Sequence, residues 1–124
     1  MISRNLFIGL ILSTILCQVT MAQSNTNRIR HMVVFKLKHS ESSPEEQNFL
    51  NAIRKLAAIP GVEKFELMRQ ISQKNKYSFG LSMEFADQQA YDKYNTHPDH
   101  IAFVQNRWVK EVDDFLEIDL KLLE

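Results

Sequence analysis

The stretch Tyr94-Asn95-Thr96-His97-Pro98-Asp99-His100 gathers a phenol and a pair of imidazoles around one proline. An imidazole serves as a general acid or base near neutral pH. A phenol beside it donates a hydrogen bond to a developing oxyanion. Proline favours the first position of a helix, so Pro98 predicts a helix start, where free N–H groups and the positive dipole end suit an anionic oxygen. His31 adds a third imidazole, alternating along "HMVVFKLK" with Val33, Phe35 and Leu37 on one strand face. His31, His100 and Tyr94 are therefore expected to converge as a catalytic set between sheet and helices. The expected walls for a small apolar ligand are Val33, Phe35, Phe79, Leu81, Phe103 and Trp108. His97, outside the helix start, is expected to cap the backbone or face solvent. Each residue also has a plain structural reading, with His97 as a cap, Tyr94 as core and His31 as a satisfied buried histidine.

Other chemistries lack their residues. His97 and His100 are spaced i, i+3 rather than the i, i+4 of a zinc-binding helix, and no carboxylate or cysteine stands at a recognised ligand spacing with them. No metal and no cofactor is expected. The chain holds 3 glycines, with no phosphate-cradling loop and no nucleophile elbow.

The elements that must position these residues follow in a clear order. The strand at 31–38 precedes a helix punctuated at both ends: Ser43 as N-cap, Pro44 at the first helical position, Glu46 closing a capping box, and Pro60-Gly61 as the stop. Phe49, Leu50, Ile53, Leu56 and Ala57 form its apolar stripe. "VEKFELMRQI" reads as a strand with Phe65, Leu67 and Arg69 on one side. "YSFGLSMEF" reads as another, with Tyr77, Phe79, Leu81, Met83 and Phe85 on one side. Asp87 caps a short helix carrying Ala90, Tyr91 and Tyr94. After Pro98 a second helical stretch places Ile101, Val104 and Trp108 on an inward stripe. "FLEIDLKLL" closes the chain as a strand with Leu116, Ile118, Leu120 and Leu122 on one face. The order β-α-β-β-α-β predicts an α+β, ferredoxin-like fold: a four-stranded antiparallel sheet with helices on one face. The other face is expected to carry Met32, Val34, Met68 and Phe115 among Ser78, Gly80 and Ser82, and to bury itself in a homodimer.

The first 22 residues have the order of a secretory signal peptide: Arg4 in a short positive region, an apolar run from Leu6 to Leu16, then Thr20-Met21-Ala22 as a cleavage motif. The run is short for a membrane span of about 20 residues. An exported chain is expected, periplasmic or secreted and free of the membrane after cleavage. Residues 23–30 form a polar tether and 31–124 the domain. The single Cys17 lies in the leader, and of 15 basic and 15 acidic side chains the leader holds only Arg4. The near-neutral remainder has no basic tract, so no nucleic-acid partner is expected.

"RHMVVFKLK" and "YDKYNTHPDHIAFV" resemble the stress-responsive dimeric α/β-barrel (Dabb) family, over about residues 29–122. The string His97-Pro98-Asp99-His100-Ile101-Ala102-Phe103 carries most of the likeness. The resemblance implies a ferredoxin-like protomer whose sheets pair across a dimer. Most members of the family have no known reaction, and some are associated with stress or salt responses. A few plant members resemble polyketide cyclases, which use the strand-one histidine, the second histidine of the string and pocket tyrosines. Those positions match His31, His100 and Tyr94. A further tyrosine of the first helix has no counterpart in Asn51-Ala52-Ile53, which separates this chain from the cyclase pattern. Two functions are thus expected to compete: lyase, cyclase or isomerase chemistry on a carbonyl-bearing apolar ligand, and a non-catalytic binding or stress-protective module.

Overall fold

The computed structural model describes residues 26–123; the expected signal peptide at 1–22 lies outside the described residues. β1 (Ile29–Leu37) leads to α1 (Pro44–Arg54), which tightens into a 3-10 turn at Lys55–Ala58. β2 (Glu63–Arg69) and β3 (Phe79–Phe85) follow. Then come α2 (Gln88–Asn95), α3 (Pro98–Phe103), a π-helical turn at Val104–Trp108, a last helical turn α4 (Val109–Glu111) and β4 (Val112–Leu120). The strands form one antiparallel sheet in the order β2-β3-β1-β4, the ferredoxin-like arrangement. β1 begins at Ile29, before the expected boundary at residue 30 of the tether, because Ile29 is buried and pairs with Phe85.

The expected punctuation of α1 is present. Ser43 Oγ accepts from the Glu46 backbone N–H at 3.2 Å, and Glu46 Oε1 accepts in return from Ser42 N–H at 3.2 Å. These bonds satisfy orphan donors at the helix start and hold the buried Glu46 carboxyl. Phe49, Leu50 and Ile53 then face the sheet. The core joins them to Val33, Phe35, Leu81, Met83 and Phe85 on one side of β1 and β3.

Two faces were misplaced by the sequence reading. Phe35 pairs with Phe115, so Phe115 lies on the helix-covered side of the sheet, edge-on to Trp108 at a ring separation of 5.4 Å, and not on the open side. Leu116, Ile118 and Leu120 take the open face instead, opposite Val34, Met32 and Arg30. Ile101 is exposed rather than inward. A π turn follows α3 at Val104–Trp108. It brings residues five apart onto one face, so Phe103 and Trp108 both meet Phe49, at 5.6 and 6.2 Å, and the stripe predicted from 3.6-residue spacing is lost.

Candidate functional site

His31 sits mid-strand in β1, 5 % exposed, with Met83 and Asp119 as its cross-strand neighbours. Its Nδ1 lies 2.7 Å from Asp119 Oδ1. An ionised carboxylate only accepts, so Nδ1 carries a hydrogen and Nε2 is the ring nitrogen turned away from Asp119. The Tyr91 hydroxyl is 3.0 Å from His31 Nδ1, 3.0 Å from Asp119 Oδ2 and 3.2 Å from Glu117 Oε1. It gives its one proton to a carboxylate. Burial first, then the bond to Asp119, raises the Tyr91 pKa and keeps that proton in place.

The break at Pro98 now has a structural purpose. α2 ends at Asn95, and His97 caps α3 by accepting from Asp99 N–H at 3.1 Å through Nδ1. Pro98 opens the new helix, and His100 folds back over the junction. Its Nδ1 donates to the Asn95 carbonyl at 3.1 Å, and its ring lies 4.3 Å from that of Tyr94. A carbonyl also only accepts, so His100 presents Nε2 as its basic nitrogen. Burial lowers the His100 pKa below the ordinary imidazole value, which favours the neutral ring. Tyr94 stands between the two imidazoles, its ring 6.3 Å from His31. It is buried, and burial followed by the charge of Glu117 raises its pKa, which leaves a protonated phenol.

One cavity of about 600 Å³ touches His31, Tyr94 and His100 together. Of the expected walls, Val33, Leu81, Phe103 and Trp108 line it, joined by Ile53 and Leu56 from the α1 side and Phe115 from β4. Phe35 and Phe79 do not. Their rings lie 5.4 Å apart, Phe35 also packs against Phe49 and Trp108, and both belong to the packed core. Phe79 instead borders a second, polar depression with Arg69 and Tyr77.

Sequence reasoning missed Asp119, Glu117 and Tyr91. The signal was a carboxylate pair at i, i+2 in "FLEIDL", which alternation places on one strand face, together with a tyrosine three residues before Tyr94. His31, Glu117 and Asp119 each offer a ligand atom within 4.8 Å of the others. As arranged they form a hydrogen-bonded set: the imidazole nitrogen facing the carboxylates bears the proton, which a metal would have to displace.

These features define a ferredoxin-like α+β domain with a histidine-lined cavity on the helix side of its sheet. The chain belongs to the Stress responsive A/B Barrel Domain (Dabb) family, whose model matches residues 29–122. A Dabb family protein with a ferredoxin-like fold from Mesorhizobium loti is 60 % identical, with a TM-score of 0.76 over 78 % of this chain and 98 % of that one. A dimeric protein of unknown function from Bacteroides fragilis is similar at 22 % identity, with a TM-score of 0.59 over 77 % and 97 % of the chains. Hydroxynitrile lyase from Passiflora edulis shares the fold at 11 % identity, with a TM-score of 0.70 over 80 % and 96 %. No curated protein matches the sequence. Among the described residues, no helix is long and apolar enough to cross a membrane.

Proposed function

We propose that the domain binds a small apolar carbonyl compound and exchanges protons with it through His31 and His100, in a lyase-, cyclase- or isomerase-type reaction. The observation that carries this reading is the matched tethering of the two imidazoles. Each has Nδ1–H tied to a fixed acceptor, Asp119 or the Asn95 carbonyl, and each borders the same largely apolar cavity. In this scheme one Nε2 removes a proton from the carbon beside the carbonyl, while the Tyr94 phenol donates a hydrogen bond to the developing enolate oxygen. The imidazolium so formed returns the proton to the enolate, directly or by passing it to the second imidazole, which delivers it at the new position.

The open face of the sheet supports a homodimer. Met68, Leu116, Ile118 and Leu120 leave a broad apolar surface there, and the fold neighbour from Bacteroides fragilis is described as dimeric. The leader-like residues 1–22 add export to the proposal, and intact mass of the protein recovered outside the cytoplasm tests it.

The catalytic test is deuterium incorporation into the methyl group of an aryl methyl ketone in D2O, followed by proton NMR. The protein should accelerate exchange above buffer, and His31→Ala and His100→Ala should each remove the acceleration. A second reading, a ligand-holding module without turnover, rests on the completeness of the His31–Asp119–Tyr91 bonding, which also suits a buried structural histidine. Binding of the ketone with no exchange would select it.

A further inference from the structure

The cavity that would hold the ligand has a charge character of its own. Among the described residues that line it are Asp113, Asp114 and Glu117, and there is no lysine or arginine. The nearby ammonium of Lys76, which is not part of the wall, is bound to Asp114 and also feels the charge of Asp113, so Glu117 is the lining carboxylate farther along β4 from that cation. The remaining wall is rich in rings: Tyr94, Phe103, Trp108 and Phe115. Aromatic faces beside carboxylates attract cations and disfavour an anion. A ligand carboxylate entering here would leave water without gaining a lysine or arginine partner.

We infer that this cavity accepts uncharged or cationic apolar carbonyl compounds and rejects carboxylates. The inference rests on the ligand-binding reading above and narrows its substrate class. It places acidic ketones and acyl compounds carrying phosphate groups outside the range of this protein, whatever reaction the histidines perform.

The chain contains a single tryptophan, Trp108, in the cavity wall, so its fluorescence reports occupancy directly. The probes are three acetophenones that differ only at the para position: methyl, trimethylammonio and carboxylate. At pH 8 and low salt, the methyl and trimethylammonio compounds should quench Trp108 with similar midpoints, and the carboxylate should bind at least about tenfold more weakly. Asp113→Asn with Glu117→Gln should narrow the ratio between the methyl compound's affinity and the carboxylate's by about threefold or more; 0.5 M salt should narrow it in the same direction. Asp113→Asn alone, at an exposed position, should give part of the effect without touching the Tyr91 bond. Carboxylate affinity within twofold of the methyl compound, or a ratio unmoved by the double substitution, overturns the inference and leaves ligand binding standing. Failure of the methyl compound itself to bind overturns the ligand-binding reading and this inference with it.

Discussion

Asp119→Asn is the sharpest perturbation of the His31 arrangement. The change keeps the shape of the side chain and removes its charge. Two bonds are weakened: His31 Nδ1–H to Oδ1 at 2.7 Å and Tyr91 O–H to Oδ2 at 3.0 Å. Bonds to a charged partner contribute about 1.5–3 kcal/mol each when protected from water. The Asp119 side chain is 41 % exposed, and Glu117 Oε1, 3.7 Å from His31 Nδ1, remains to take part of the load. The expected loss is therefore about 1–2 kcal/mol for the pair together. For a domain of this size that lowers the thermal midpoint by about 4–8 °C per kcal/mol, measured at one fixed protein concentration because a dimer's midpoint depends on it. The chemical consequence is larger than the energetic one. Without the Asp119 charge only weaker acceptors, an amide oxygen and the more distant Glu117, face Nδ1, and its hydrogen is held less firmly. Nitrogen-15 NMR of labelled histidine, at a pH high enough for neutral rings, reads this directly: wild-type His31 Nδ1 should resonate as the protonated nitrogen, and the variant should show more averaging between the two ring nitrogens. An unchanged spectrum with unchanged stability would refute the role given to Asp119.

Further outcomes follow from the same geometry. His100→Ala removes a bond to the Asn95 carbonyl and a ring contact with Tyr94 at the cavity wall, so urea unfolding should record a loss of about 1 kcal/mol while ketone binding weakens; a loss of several kcal/mol would make the residue structural. Burial lowers the His100 pKa, so the unfolded chain binds its proton more readily than the folded one. This residue's contribution to stability is thus complete above the ordinary imidazole value and declines as pH falls through and below it, and His100→Ala should flatten that slope in a pH series of melts. Glu84, pulled down to about 2 first by its bond to Arg30 and then by Lys64 and Arg28, contributes stability that is full above the ordinary carboxylate value and lost as pH falls towards 2. Solvent screening at the exposed Arg30 limits it to about 1–2 kcal/mol, and Glu84→Gln should abolish that acid-dependent loss. Ile118→Asp, in the middle of the open sheet face, should halve the mass seen by light scattering without altering the circular dichroism spectrum; an unchanged dimer would place the interface elsewhere.

Much of the fold was determined locally and could be read from the chain. The alternation of β1 and β3, the Ser43-Pro44-Glu46 start of α1, the Asp87 cap and the break at Pro98 are short-range patterns whose physics is complete within a few residues. They were enough to put His31, Tyr94 and His100 on the helix side of one sheet. Alternation, however, supplies a period without a phase. "FLEIDL" is apolar on one face and carries Phe115, Glu117 and Asp119 on the other, so either face could have met the helices. Only pairing with β1, which joins residues 88 apart, turned the carboxylates towards His31 and Leu116, Ile118 and Leu120 outwards. The π turn is likewise a tertiary decision: Phe103 and Trp108 both pack on Phe49, and the helix widens to let them. The histidines were thus legible in the sequence. The groups that orient His31 were not, because its carboxylate partners are adjacent only through a strand register that no local pattern encodes.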